Sequence, residues 1–222
     1  MSELDSSNKV VNIDPQTVVR LFHQLYYNSA EQTWFNTTWM GFPLLKCPLD
    51  LWIYQEMIVE IQPDIIVETG THKGGSALYL AFLMDLLGNN GQVLSIDIES
   101  WPELPSHPLI TYLNGSSTEE TIVSQVREAI ADKKKVMVIL DSDHSCDHVF
   151  KEMEIYGAMV SSGSYMIVED SNVNGHPVKP EHGPGPMEAI NLYLQKHSDF
   201  EIDHSREKFF MTQNPNGFLR KK

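Results

Sequence analysis

Asp141, His144, Glu169 and Asp170 are the side chains in this sequence whose types and spacing could do chemistry together. Asp141 follows the apolar run Val136 to Leu140, and Glu169-Asp170 follows Tyr165 to Val168. If those runs are neighbouring strands, three carboxylates meet at one point. Hard oxygen donors, without cysteine or paired histidines, favour Mg²⁺, Mn²⁺ or Ca²⁺ over zinc. Three carboxylates sharing a point without a cation would repel one another strongly. His144 stands three residues past Asp141, beside the expected metal. A metal lowers the pKa of a bound hydroxyl, and an imidazole titrating near about 6.5 can then take the proton. Asp143 is a second catalytic candidate, placed either to orient His144 or to face a substrate. His148 is expected on the following helix and is a weaker choice of base.

A second group lies upstream. Glu68-Thr69-Gly70-Thr71-His72-Lys73-Gly74-Gly75-Ser76 follows the run Ile65 to Val67 and opens a helix. Glycines permit positive φ and close backbone approach, and a helix start offers free N–H groups to an anion. The spacing lacks the G-x-G-x-x-G of a dinucleotide fingerprint. The next strand ends in Asp97, where a carboxylate can accept both hydroxyls of a ribose. A third strand end, Asn114-Gly115-Ser116-Ser117, is small and polar enough for the edge of an adenine. An adenosyl group without a pyrophosphate cradle points to S-adenosylmethionine. Glu68 would face its amino group. Gly70, Thr71, Gly74 and Ser76 would surround its carboxylate, Asp97 its ribose and Ser116 its adenine. Asp141 belongs to both halves of this rim.

The elements needed to position these residues are visible in the pattern. Short β-branched runs at 65–67, 93–96, 110–113, 136–140 and 165–168 alternate with helical stretches at 75–87, 117–131, about 148–160 and 187–197. Ser117 and Glu120 have the spacing of a capping box. Continuous apolar strands with intervening helices predict an α/β fold, a mostly parallel sheet covered on both faces. Phe200 to His204 and Lys208 to Thr212 read as an antiparallel hairpin closing one end. Upstream, Asp14-Pro15 starts a helix whose apolar side holds Val18, Val19, Leu21, Phe22, Leu25 and Tyr26. An aromatic loop follows, and Pro48 opens a helix to about Ile61. Met1 to Asn12 reads as a loose tail. Residues 1–50 are taken as an N-terminal extension and 51–222 as the main domain. The Gly- and Pro-rich stretch Asn172 to Pro186 is placed to form one wall of an acceptor pocket.

Composition narrows the partners. Among 222 residues, 30 are acidic and 16 are Lys or Arg, a net charge of −14. Such a surface repels phosphate backbones and anionic lipid, so neither nucleic acid nor membrane is expected as partner. No apolar run reaches the roughly 18 residues of a membrane helix. Met1 to Val11 shows no secretory pattern, and two cysteines fit a reducing cytoplasm. Two rivals remain open from the residues: a nucleotide-binding oxidoreductase, and a non-catalytic adenosyl-binding protein on the same fold.

Taken together, Trp39-Met40-Gly41, Lys46-Cys47-Pro48-Leu49-Asp50, Tyr54-Gln55-Glu56, Glu68-Thr69-Gly70-Thr71, Leu140-Asp141-Ser142-Asp143-His144-Ser145, Glu169-Asp170-Ser171-Asn172, Asn174-Gly175-His176-Pro177 and Gly183-Pro184-Gly185-Pro186 resemble the cephalosporin hydroxylase family of S-adenosylmethionine-dependent methyltransferases. That family is related to macrolide-sugar and rhamnosyl O-methyltransferases. The resemblance spans about Trp39 to Phe210. It implies a class I methyltransferase (Rossmann-like) fold with a seven-stranded sheet, Mg²⁺ held by Asp141, Glu169 and Asp170, His144 as general base, and a small-molecule hydroxyl as acceptor. No large N-terminal domain like that of some macrolide-sugar enzymes is present. The first 50 or so residues would therefore complete the pocket alone or with a neighbouring subunit, which makes a homo-oligomer the expectation.

Overall fold

The structure is a computed structural model that describes residues 14–88 and 91–222. The expected tail at 1–12 lies outside the described residues. The first helix, α1 (Pro15–Asn28), begins where Asp14 accepts a hydrogen bond from the Thr17 amide at 3.1 Å, with proline at the first helical position. Two short 3₁₀ turns follow. The strand pair β1 (Thr38–Trp39) and β2 (Phe42–Pro43) comes next, where an aromatic loop was expected. Helix α2 (Pro48–Ile61) starts at Pro48 and stops at Gln62, which adopts the left-handed conformation.

From there strands and helices alternate as the apolar runs predict. The elements are β3 (Ile65–Thr69), α3 (Gly75–Leu87), β4 (Gln92–Asp97), β5 (Ile110–Asn114), α4 (Glu120–Ile130), β6 (Val136–Leu140), α5 (Cys146–Gly157), β7 (Tyr165–Val168), α6 (Pro186–Lys196), β8 (Phe200–Ile202) and β9 (Phe218–Lys221). One seven-stranded sheet has the order β5-β4-β3-β6-β7-β9-β8. The first five strands are parallel, and β9 runs antiparallel between β7 and β8. Strands β3, β6 and β7 are buried along their whole length. Their side chains alternate between two cores. Val67, Val138 and Val168 pack under Ile122, Met153 and Ile190. Ile66, Ile139 and Ile167 pack under Met57, Leu80 and Met84.

The chain order reverses between β3 and β6, and in such sheets the crevice outside the strand ends is where ligands bind. The register sets Thr69 of β3 beside Leu140 of β6, so Gly70 and Asp141 emerge together. Gly70 has φ +89°, and a Cβ there would lie 1.8 Å from the Asp141 carbonyl oxygen. Glycine is required at this position for the two strand ends to approach.

Three expectations need correction, and the packing of α1, which the sequence pattern left open, is settled. The second strand of the terminal hairpin is β9 at 218–221, not Lys208 to Thr212. Asp203 caps a 3₁₀ turn by accepting from the Ser205 amide, and Arg206 is held by Asp203, Tyr165 and Glu60. The chain after it is drawn toward the strand ends: Gln213 donates its amide to Asp50, and Asn214 accepts from the Asp170 amide. No capping box forms at Ser117, because α4 begins at Glu120 with Glu119 as N-cap. The Ser117 carbonyl instead accepts from the Tyr156 hydroxyl at 2.7 Å. Helix α5 begins at Cys146, two residues before the expected start, and ends at Gly157. Finally, α1 buries His23 and Tyr27, whereas Val18, Leu21, Phe22 and Leu25 are half or more exposed. Its apolar side does not face the core.

The close approach at Gly70 yields a direct test. Gly70→Ala combines a strained positive φ with a backbone clash and should cost roughly 3 kcal/mol or more. Urea unfolding monitored by circular dichroism measures that loss; a change below 1 kcal/mol would contradict the packing described.

Candidate active site

The carboxyl ends of β4, β6 and β7 carry Asp97, Asp141, Glu169 and Asp170 to one rim. Two cavities open there. The first, about 370 Å³, is lined by Gly70, Asp97, Ser116, Ser117, Ser142, Asp143 and His148. The second, about 410 Å³, is lined by Gly70, Thr71, Ser76, Asp97, Asp141, His144 and Asp170 on the strand side. Tyr27, Trp34, Phe35, Leu44 and Leu45 form its other wall. Gly70, Asp97 and Ser142 line both.

Asp97 ends β4 with one oxygen accepting the His72 amide and the other the Glu99 amide, each at 2.8 Å. Those two bonds fix the carboxylate at the mouth shared by both cavities and leave lone pairs for a diol. Gly74, in the left-handed conformation, is the N-cap of α3, and Gly75 and Ser76 present the first turn of that helix to the second cavity. A Cβ on Gly74 would meet Pro105 at 2.6 Å, so this glycine answers a packing contact as well as a turn.

Glu68 is placed differently from the sequence reading. It is fully buried and lines neither cavity. One of its oxygens accepts from Ser95 at 2.7 Å, Ser95 in turn shares a hydrogen bond with Thr71, and Oε1 has no partner. Burial pushes its carboxyl above the ordinary range. It stands beneath the floor of the site, where it fixes Thr71 through Ser95.

Of the two places expected for Asp143, orienting His144 is not the one it takes. It accepts from the Ser145 amide and hydroxyl and lines the first cavity. Those bonds hold its carboxyl below the ordinary value. No hydrogen bond joins it to His144 among the described residues. The partner of His144 is Asp170: Nε2 lies 3.2 Å from Asp170 Oδ2 and 3.9 Å from Asp141 Oδ1. His148 also lines the first cavity, 3.2 Å from the Ser142 hydroxyl and 3.5 Å from the buried Glu152, and that carboxylate raises its pKa.

Lys46, for which the sequence allows an acidic group on a ligand or a helix C-terminus as partner, meets acids of the protein itself. Its ammonium, 4 % exposed, contacts Asp141 Oδ2 and Glu169 Oε1 at 2.6 Å each. Burial alone would favour the neutral amine, but Asp141, Glu169 and Glu68 outweigh it and hold Lys46 protonated. Glu169 remains well above the ordinary carboxyl range, through burial and the neighbouring charge of Asp141. Asp170 is raised for the same reasons, with His144 pulling the other way. Glu169 and Asp170 therefore resist ionisation, and further positive charge relieves them. Among the described residues, Asp141, His144 and Asp170 each offer a donor atom within 4.8 Å of the others. Glu169 adjoins them, turned toward Lys46. The hard oxygen donors of this group suit a divalent Mg²⁺- or Mn²⁺-like ion.

Comparison with known proteins bears on this arrangement. Residues 31–222 match the model of the family described as Rhamnosyl O-methyltransferase/CmcI. A rhamnosyl O-methyltransferase of Mycobacterium tuberculosis is 41 % identical over 208 residues, covering 91 % of this chain and 84 % of the relative. One from Mycobacterium leprae is 40 % identical over 211 residues, covering 93 % and 91 %. Among solved structures, CmcI (cmcI-D160 Mg-SAM) superposes with a TM-score of 0.67 at 24 % identity, covering 85 % of this chain and 77 % of that one. A caffeoyl-CoA O-methyltransferase from Staphylococcus aureus, itself a putative assignment, gives 0.55 at 15 % identity, covering 85 % and 86 %. The two solved structures establish the class I methyltransferase fold.

Asp50, buried behind the site, offers a pH test. It accepts from the Gln213 amide at 2.9 Å, and burial pushes its carboxyl up to about 7. The folded protein then holds a proton that the unfolded chain releases near pH 4, so stability falls as pH rises from about 4 to 7. Asp50→Asn removes that term, and wild type should lose up to roughly 4 kcal/mol relative to the variant across this window. Parallel denaturation curves of the two proteins at pH 4.5 and 7.5 give the difference.

Proposed function

The chain belongs to the Rhamnosyl O-methyltransferase/CmcI family, and from that premise we propose that it methylates a hydroxyl of a small sugar-bearing molecule, with S-adenosylmethionine as donor and Mg²⁺ as metal. The observation that carries the reading is the pair of adjoining cavities. One is walled by Asp97, Ser116 and Gly70, and the other by Asp141, His144 and Asp170. They meet at Gly70 and Asp97, so a donor in the first reaches the acids of the second.

In this reading Asp97 binds the ribose hydroxyls, and Ser116 with Ser117 borders the adenine. The first turn of α3, at Gly75 and Ser76, receives the donor carboxylate, with Thr71 beside it. Asp141, Asp170 and Glu169 would hold the ion, which would supply acidification of the acceptor hydroxyl. His144, with Nε2 directed at Asp170, takes the hydroxyl proton. Bound S-adenosylmethionine would supply the methyl group to that oxygen, with S-adenosylhomocysteine as the other product. Methyl transfer of this kind needs no covalent enzyme intermediate, so alignment of the two reactants is the main contribution of the protein. Asp143, bonded to Ser145, serves the donor side and not the proton transfer.

The aromatic wall supports a sugar as the acceptor. Tyr27 and Trp34 are stacked at 5.3 Å, and the Trp34 indole N–H donates to the Tyr27 carbonyl, so the pair is rigid. A flat apolar face opposite a cluster of acids fits the C–H face of a hexose. The residues before about 50 thus complete the pocket. The half-exposed side of α1, with Leu21, Phe22 and Leu25, is the face on which a homo-oligomer would close. A monomeric mass by light scattering would remove that part of the reading. Two free cysteines accord with a cytoplasmic protein, and no described helix is long and apolar enough to cross a membrane.

Incubation with labelled S-adenosylmethionine and a rhamnosyl acceptor tests the proposal. His144→Ala should lower kcat about 10²- to 10⁴-fold with donor binding intact. Chelator and Asp141→Asn should each abolish turnover, and full activity in all three refutes the mechanism. Trp34→Ala should raise KM for the acceptor about tenfold with kcat little changed.

A further inference from the structure

The acidic centre already contains a cation. Lys46 enters it from the segment between β2 and α2, far in sequence from the acids it meets. Its stem is buried, and its ammonium touches one oxygen of Asp141 and one of Glu169 at equal distance. The second oxygen of Asp141 faces His144. Glu169 is also approached by the Tyr54 hydroxyl, which is held in turn by Asn214. Hence Asp141 is divided between an inner partner, Lys46, and an outer one on the cavity side. Asp170, on the cavity side, is not in contact with the ammonium. The ammonium offsets part of the negative charge these carboxylates carry when ionised, and a divalent ion on the cavity side would offset more of it.

We propose that Lys46 is a positioning residue: a resident cation that fixes Asp141 and Glu169 by charge, so that the acidic centre stays assembled whether or not a divalent ion occupies it. This rests on the metal-dependent reading above, but its decisive measurement needs no metal. Removing the ammonium leaves the buried Glu169 and the partly buried Asp141 without their cation, so Lys46→Met should lower Tm in chelator by about 10 °C or more. Saturating Mn²⁺ supplies the missing positive charge. The rise in Tm on adding Mn²⁺ should therefore be larger for Lys46→Met than for wild type, and Lys46→Arg should behave as wild type. The double variant Lys46→Met/Glu169→Gln restores the original charge balance and should regain at least half of the loss seen in chelator.

Two results overturn the proposal. One is a Lys46→Met protein whose Tm deficit is the same in chelator and in Mn²⁺. The other is a Glu169→Gln change that deepens the deficit of Lys46→Met in chelator, or fails to restore folding where that variant does not fold. Either would reduce Lys46 to a packing residue. Calorimetry showing that Mn²⁺ binds neither wild type nor variant would refute the metal reading instead, while the double-variant comparison would still decide for Lys46.

Discussion

Asp141, Glu169 and Asp170 stand on adjoining strand ends, and their mutual repulsion is the constraint around which the rest of the site is organised. Like charges at this spacing cannot all ionise in a partly buried setting unless positive charge is near. Lys46 answers part of the demand from inside the protein, and His144 adds a dipole or a charge from the cavity side. Asn214 and Tyr54 satisfy the backbone and side chains behind them. The residual negative charge faces the cavity, and a divalent ion would complete its balance.

Several distant segments are tied to that balance. The stretch between β2 and α2 must bring an ammonium to the rim. Gly70 must lack a side chain so that Asp141 can emerge beside it. The residues after the 3₁₀ turn at His204–Glu207 must run back to Asp50 and Asp170 before β9 can pair with β7. The last strand is therefore displaced along the chain by the needs of the site. The N-terminal aromatic wall faces the same acids, which makes one cavity out of parts supplied by both ends of the chain.

Much of this was legible before any coordinates. The runs at 136–140 and 165–168 are the strands observed, because fully buried parallel strands have continuous apolar sequence and little else resembles them. Acids immediately after such runs must lie on one rim, which located Asp97, Asp141, Glu169 and Asp170. The misreadings share a cause. Glu68 occupies a strand position, and pleat alternation turned it under the sheet, not into the cavity. Ser117 and Glu120 had capping-box spacing, but the Ser117 carbonyl was claimed by Tyr156 and the helix began later. The amphipathic pattern of α1 identified its apolar side, yet a pattern does not say whether that side meets the core or remains open.

The amino-acid order settled the alternation of strands and helices, the parallel sheet that follows from it, and which acids end which strands. These are local or nearest-neighbour consequences of side-chain type. Contacts closed by the folded chain settled the remainder: the pairing of Lys46 with two carboxylates more than ninety residues away, the approach of His144 to Asp170, and the aromatic wall across from them. Such contacts depend on where a side chain points and on what else competes for it. Neither is encoded in spacing, because electrostatic partners are chosen by distance in space and not along the backbone.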